Sequence, residues 1–235
     1  MAREANRTHS IALEVIACSV ADAIEAERGG ADRLEVISHF EVGGLTPPLE
    51  LLREIRAAVS LPLRVMLRED GGYEVIDEAE TERLCATARE LNMTGVEGVV
   101  LGFLRAGEID VEVTSRILAC APDLKATFHH AFDETNDRLR AIAELRKFEQ
   151  VDRILTSGGG KSLSRRIENL AAYEQAAGPE IKILAGGGLD AVKIKAIRAA
   201  TNIREFHVGR AARMPASIDG AVSAGRVRDI IKRLN

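Results

Sequence analysis

The stretch Leu124-Lys-Ala-Thr-Phe-His-His-Ala-Phe-Asp133 begins as an apolar, aromatic run and ends in His129, His130 and Asp133. A strand that finishes in ionisable side chains delivers them to the mouth of a site when similar strands surround it. Seven other strands of this kind start near residues 11, 32, 61, 95, 151, 181 and 204, and each of the eight is followed by a helical stretch. Ser19 opens the first helix, which stops at Gly29-Gly30, as a Ser cap and a glycine stop dictate. Pro47-Pro48 leads into a second helix over 49–59. The other helices are expected over 77–91, 111–120, 136–147, 164–176, 190–200 and 218–234. Regular β-α alternation implies a parallel sheet, and eight units close into a (β/α)8 TIM barrel of the α/β class. An open doubly wound sheet is the alternative, but no G-x-G-x-x-G follows the first strand.

No composition shift divides 11–235, which reads as a single barrel domain. Residues 1–10 are polar, lack the apolar stretch of a secretory signal, and read as a disordered lead-in. The chain has 235 residues, no Trp and two Tyr, so its core is built from Leu, Ile, Val and Ala. A net charge of −4 supplies no general positive field for nucleic acid. No apolar run reaches the ~18–20 residues of a membrane span. Three cysteines without a C-x-x-C pair point to reduced thiols, a cytoplasmic location and no zinc ribbon. Thr156-Ser-Gly-Gly-Gly160-Lys161 lacks the spacing of a P-loop, so no nucleotide cofactor is expected.

In such a barrel the site is built at the C-terminal ends of the strands. Glu14, Glu35, Arg68, His129, Glu205 and His207 are the ionisable candidates for catalysis there. Glu14 and Glu35 occupy near-identical contexts on adjacent strands, Leu13-Glu14-Val15 and Leu34-Glu35-Val36. Two close carboxylates raise one another's pKa unless an arginine lies between them. They read either as an acid–base pair or as an ion-pair network filling the barrel. By strand alternation His129 faces inward and His130 outward. Asp133 either orients His129 or caps the next helix. Thr127, Thr156, Ser157, Gly187, Gly188, Gly209 and Arg210 are the candidates for binding a substrate or phosphate. The loops after strands seven and eight of many barrels cradle phosphate with backbone N–H groups; the competing reading of these glycines is tight turns. Cys18, just after strand one, is the one metal-ligand candidate among the thiols, since Cys85 and Cys120 fall on helices.

Several segments recur in order: Gly29-Gly-Ala-Asp-Arg-Leu-Glu35, Gly43-Gly-Leu-Thr-Pro47, Thr127-Phe-His129 with Ala131-Phe-Asp133, Leu155-Thr-Ser-Gly158, Ala185-Gly-Gly-Gly188 and Glu205-Phe-His207. Together, over 11–213, they resemble the CutC family. The resemblance implies a cytoplasmic (β/α)8 barrel, a homodimer, and an association with copper homeostasis, with Cu(I) as the implied metal. Many members carry cysteine where this chain has Ile16 and Ile37, so Cys18, joined by His129, is the copper candidate that is left. His130 stands where the family has Arg, Glu69-Asp70 where it has Pro-Arg, and Gly209 where it has Ser. The competing reading is an isomerase, epimerase or lyase acting on a small polyol or phosphosugar-like molecule through Glu and His. A third is a scaffold for a protein partner.

Overall fold

The computed structural model describes residues 11–234, so the expected lead-in over 1–10 lies outside the described residues. The barrel strands are β1 (Ala12–Ala17), β2 (Arg33–Val36), β3 (Leu63–Met66), β4 (Gly98–Leu101), β5 (Lys125–Phe128), β6 (Val151–Thr156), β7 (Lys182–Ala185) and β8 (Glu205–Val208). All pair in parallel, and β1 pairs with both β2 and β8, closing the barrel. The helices are α1 (Val20–Gly29), α2 (Leu49–Ala58), α3 (Glu78–Asn92), α4 (Val111–Ala119), α5 (Arg138–Leu145), α6 (Leu163–Ala177), α7 (Ala191–Ala200) and α8 (Ala224–Leu234). Ser19 accepts the Asp22 N–H, and Gly30 ends α1 at φ 95°. Among the described residues, no helix is long and apolar enough to cross a membrane.

Two short hairpins add to the expected elements. Leu104–Arg105 pairs with Glu108–Ile109 around Ala106 and Gly107, both at positive φ, as tight two-residue hairpins require. Arg213–Met214 pairs with Ala221–Val222. That pairing takes the segment expected to open the last helix, so α8 starts at Ala224 instead of near 218.

Outside the barrel, the strands' outward side chains and the helices form one apolar core that includes Leu13, Val15, Leu34, Val65, Phe128 and Phe206. The interior is different. Near the upper end, Ile16, Ile37, Met66 and Val100 form a small apolar cluster. Lower down the interior is ionic. Arg33 lies between two carboxylates, with Nε 2.5 Å from Glu14 and Nη2 3.0 Å from Glu205. Arg153 Nε donates to Glu205 at 2.7 Å. Arg64, fully buried, forks onto Asp152 at 3.0 and 2.8 Å and reaches Glu97 at 2.8 Å. Gly98 makes room for it, because a Cβ there would stand 2.8 Å from Arg64 Nη1 and 2.3 Å from the Lys125 carbonyl oxygen.

This network closes the lower end of the barrel with mutually paired charges. Removing one partner of a buried pair costs about 3–5 kcal/mol, because the other charge stays buried without compensation. Arg33→Ala is therefore expected to lower unfolding stability at neutral pH by about that amount in urea titrations. Burial raises the Glu205 carboxyl, but its Arg153 and Arg33 partners outweigh burial and bring it down from 4.5 to about 2. A depressed carboxyl stabilises fully above its unfolded value, and the contribution is lost as pH falls toward the folded one. The wild-type melting temperature should therefore drop between about pH 4.5 and 2. The Arg33→Ala profile should be flatter across that window.

Candidate functional site

A cavity of about 610 Å3 opens at the C-terminal end of the barrel. Its floor comes from inward side chains one step above the ionic layer. His207 lies two residues beyond Glu205 on β8, and Glu14 of β1 is its register partner. His207 Nδ1 is 2.8 Å from Glu14 Oε1, and its Nε2 is 3.7 Å from Glu35 Oε2. All three residues are buried, and among the described residues they are the one group of three or more potential metal-ligating side chains within 4.8 Å of one another.

Their protonation states are driven apart. Burial pushes the Glu14 carboxyl up, but the Arg33 guanidinium and the His207 bond outweigh it and hold Glu14 well below the carboxylate range. Burial raises Glu35, and His207 only partly offsets this, so its carboxyl stays above the usual value. Burial lowers His207, but Glu35 and Glu14 overcome it and favour the imidazolium. Glu14 is thus a fixed anion and accepts from His207 Nδ1–H. Glu35 lines the cavity and keeps Oε1 without a hydrogen-bond partner.

The stretch from β5 forms one wall. The strand stops at Phe128, and His130–Glu134 turns into a 3-10 helix. The turn breaks strand alternation and brings His130 to the cavity beside His129, against the outward orientation expected from the sequence. His130 Nδ1 is 3.0 Å from Asp133 Oδ2. Asp133 neither orients His129 nor caps α5, whose cap is Asp137. It accepts instead from Thr156 Oγ1 and, at 2.9 Å, from the Ser157 N–H, tying the β5 loop to the β6 loop. Arg68 from the end of β3 donates to the Gly71 and Gly72 carbonyls and lies 4.8 Å over the Tyr73 ring.

The loops after β7 and β8 form the opposite wall. Gly187 and Gly188 stand at φ 73° and 70° and line the cavity with Gly209 and Arg210. Arg166 of α6 donates to the carbonyls of Gly186 at 2.8 Å and Gly187 at 2.9 Å. In a trans peptide the N–H points opposite to the C=O. The N–H groups of Gly187 and Gly188 therefore point away from Arg166. Asp190 also lines the cavity, but its carboxylate caps α7 through the Val192 and Lys193 N–H groups.

Five sequence candidates lie elsewhere. Glu205 belongs to the lower ionic layer. Thr127 is fully buried inside the barrel at the level of Val100. Thr156 and Ser157 serve the Asp133 knot. Cys18 packs against the upper apolar cluster, where Arg213 Nη2 reaches its sulfur at 3.4 Å. Burial pushes its thiol up to about 11. Tyr73, Arg166 and His130 are site residues that sequence reasoning missed. Tyr73 and Arg166 lie in a loop and on a helix surface, where no periodicity marks them.

The CutC family model matches residues 11–212. The chain belongs to the CutC family. It is 37% identical over 205 residues to a CutC-family protein of Xylella fastidiosa (strain Temecula1 / ATCC 700964), covering 87% of this chain and 76% of that one. It is 33% identical over 205 residues to the human protein named copper homeostasis protein cutC homolog, covering 87% and 75%. The CutC crystal structure from Streptococcus agalactiae superposes at a TM-score of 0.79 with 26% identity, over 85% of this chain and 98% of that one. The TIM barrel and the CutC membership expected from the sequence both hold.

The two carboxylates should respond differently to neutralisation. Glu14→Gln strips Arg33 and His207 of their anion and should destabilise by about 3–5 kcal/mol. Glu35→Gln removes a charge that burial already disfavours, and should be close to neutral in stability. A raised carboxyl weakens folding above its unfolded value. Glu35→Gln should therefore gain relative to wild type as pH rises past 4.5. Urea titrations across pH check both.

Proposed function

We propose that the cavity binds a small hydroxylated carbonyl compound carrying an anionic group and moves a proton on it. That is the chemistry of isomerases, epimerases and lyases. The observation that carries the reading is the contrast between Glu14, whose two oxygens are bonded by Arg33 and His207, and cavity-lining Glu35, whose Oε1 has no partner; their proton affinities are driven apart accordingly. Neighbouring carboxyls with opposed proton affinities are the mark of assigned acid–base roles. Glu35 is the proton-moving group: it lines the cavity and keeps one buried oxygen without a hydrogen-bond partner. Glu14 positions it by keeping His207 charged, and the His207 imidazolium steadies Glu35 whenever it ionises. Arg68 supplies fixed positive charge beside the reacting oxygen. The Gly187 and Gly188 N–H groups, with Arg210, offer an anion corner across the cavity, as expected for phosphate.

The names of the relatives bring copper homeostasis to this chain as its physiological association. The residues present do not fit a resident Cu(I) ion. Cu(I) selects thiolate and thioether donors, whereas Cys18 is held as a thiol and engaged by Arg213. The Glu14–Glu35–His207 group offers hard oxygen and imidazole donors, with both Glu14 oxygens already taken by Arg33 and His207. No step here is routed through copper. The family resemblance supports a cytoplasmic homodimer as the setting.

Two measurements test the reading. In D2O, small α-hydroxy aldehydes and ketones and their phosphates should take up deuterium at carbon in the presence of the protein. Glu35→Gln should slow uptake at least ~100-fold, and Arg210→Ala should weaken only the phosphorylated compounds. Absence of uptake across the series would sink the proposal. Cu(I) titration of the reduced protein should leave the affinity of Cys18→Ser equal to wild type; stoichiometric binding lost only in that variant would restore a copper site.

A further inference from the structure

His129 is 3% exposed, lines the cavity, and is the N-cap of its own 3-10 turn. Its Nδ1 accepts the Ala131 backbone N–H at 3.2 Å. A backbone N–H only donates, so Nδ1 must present a lone pair. The ring is therefore neutral and its one proton sits on Nε2. That Nε2 is buried without a hydrogen-bond partner. Burial first and the Arg68 charge second push the imidazole down to about 3, in keeping with the neutral ring. The ring is also packed in place. Tyr73 lies 5.4 Å away and Phe128 6.3 Å, both tilted. Gly102 leaves the space the ring needs, because a Cβ there would stand 2.5 Å from Nδ1.

We infer that His129 is a hydrogen-bond donor to the ligand's carbonyl oxygen, presenting Nε2–H beside Arg68, and that the ligand is an α-hydroxy aldehyde or ketone passing through an enediolate. The inference rests on the proton-transfer reading above and replaces the acid–base role first expected for His129. A buried donor without a protein partner is costly, and a carbonyl oxygen satisfies it. In the reaction, the Glu35 carboxylate takes the proton from the carbon bearing the hydroxyl. The C–H electron pair becomes the carbon–carbon double bond, and the carbonyl π pair moves onto oxygen. Nε2–H and Arg68 stabilise that oxyanion as the charge develops. Glu35 then returns the proton to the neighbouring carbon while the hydroxyl proton of the enediolate passes to the oxyanion, so carbonyl and hydroxyl exchange places and no oxidant or reductant is consumed. The same tautomer bars His129 from holding a metal through Nε2. Gly102 is a positioning residue that acts through the ring.

The test is long-range proton–nitrogen NMR on the histidine-labelled full chain, with His129 assigned by its loss in His129→Gln. The expected spectrum has a protonated Nε2 and a bare Nδ1, unchanged from about pH 5 to 8, where an ordinary imidazole titrates. Glycolohydroxamate, a planar enediolate mimic, should shift the Nε2 proton. His129→Phe should weaken hydroxamate binding and slow deuterium uptake by about 100-fold. His129→Gln, which keeps an N–H donor, should recover part of that loss. A ring protonated on Nδ1, titration within that window, or an Nε2 proton indifferent to hydroxamate would overturn the inference. Deuterium uptake that is undiminished in His129→Phe would also overturn it while leaving proton transfer by Glu35 standing. A hydroxamate shift without uptake into any compound would keep His129 as a donor and remove the proton-transfer reading instead.

Discussion

The Arg33 guanidinium bridges Glu14 above and Glu205 below, and the charge pattern of the barrel interior depends on it. A buried carboxylate needs a cation, because isolated charge in a low-dielectric interior is unaffordable. Arg33 fixes Glu14 as an anion, and Glu35 and Glu14 together favour the proton on His207. The imidazolium then faces Glu35, which has no arginine bonded to it and is left to burial. One cation two strand positions below the cavity therefore sets the protonation of a group on the cavity floor. The same guanidinium belongs to the closure of the lower end, so the stability of the barrel and the polarity of its floor share one origin.

Much of this was legible in the sequence, and the limits are physical. Eight alternating units fixed the barrel, because the strand and helix periods are short-range and the Ser, Asp and Gly caps are local. Membership of the inward face followed from strand alternation, which correctly gathers Glu14, Glu35, Arg68, His129 and His207. Height along the barrel axis did not. Glu205 and His207 share a face but lie two residues apart, about 6–7 Å along a strand, so one enters the lower plug and the other the floor. That difference depends on register between strands far apart in sequence. His130 escaped because alternation holds only while the strand lasts, and here it ends at Phe128. Tyr73 and Arg166 reach the site from a loop and a helix, where position is set by tertiary packing.

Thr127 and the cysteines show a related point. Inward-facing is not the same as cavity-lining, and Thr127, fully buried at the level of Val100, does not line the cavity. The thiols follow the same logic. With Ile16 and Ile37 completing an apolar cluster with Met66 and Val100, the upper interior of this chain is hydrocarbon. Cys18 borders that cluster, where burial disfavours thiolate and Arg213 engages the sulfur as part of a clamp that also binds Asp22 and the Gly220 carbonyl. The nearby polar atoms suit proton chemistry and anion recognition better than a soft metal.

The cavity also has a net electrostatic direction. Arg68 and His207 bring positive charge to the floor and one wall, and Arg210 brings it to the rim. Against them stand Glu35, whose ionisation burial opposes, Asp190, whose carboxylate caps the first turn of α7, and Glu41, which is bonded to His39. Arg166 turns the Gly186 and Gly187 carbonyls away, adding N–H dipoles of the same sense. An anionic ligand entering this field also makes Glu35 a stronger base by adding negative charge nearby. Binding and proton abstraction are coupled in the favourable direction: the charge that holds the ligand is on the opposite wall, and the charge that develops on reaction falls beside Arg68 and the neutral His129.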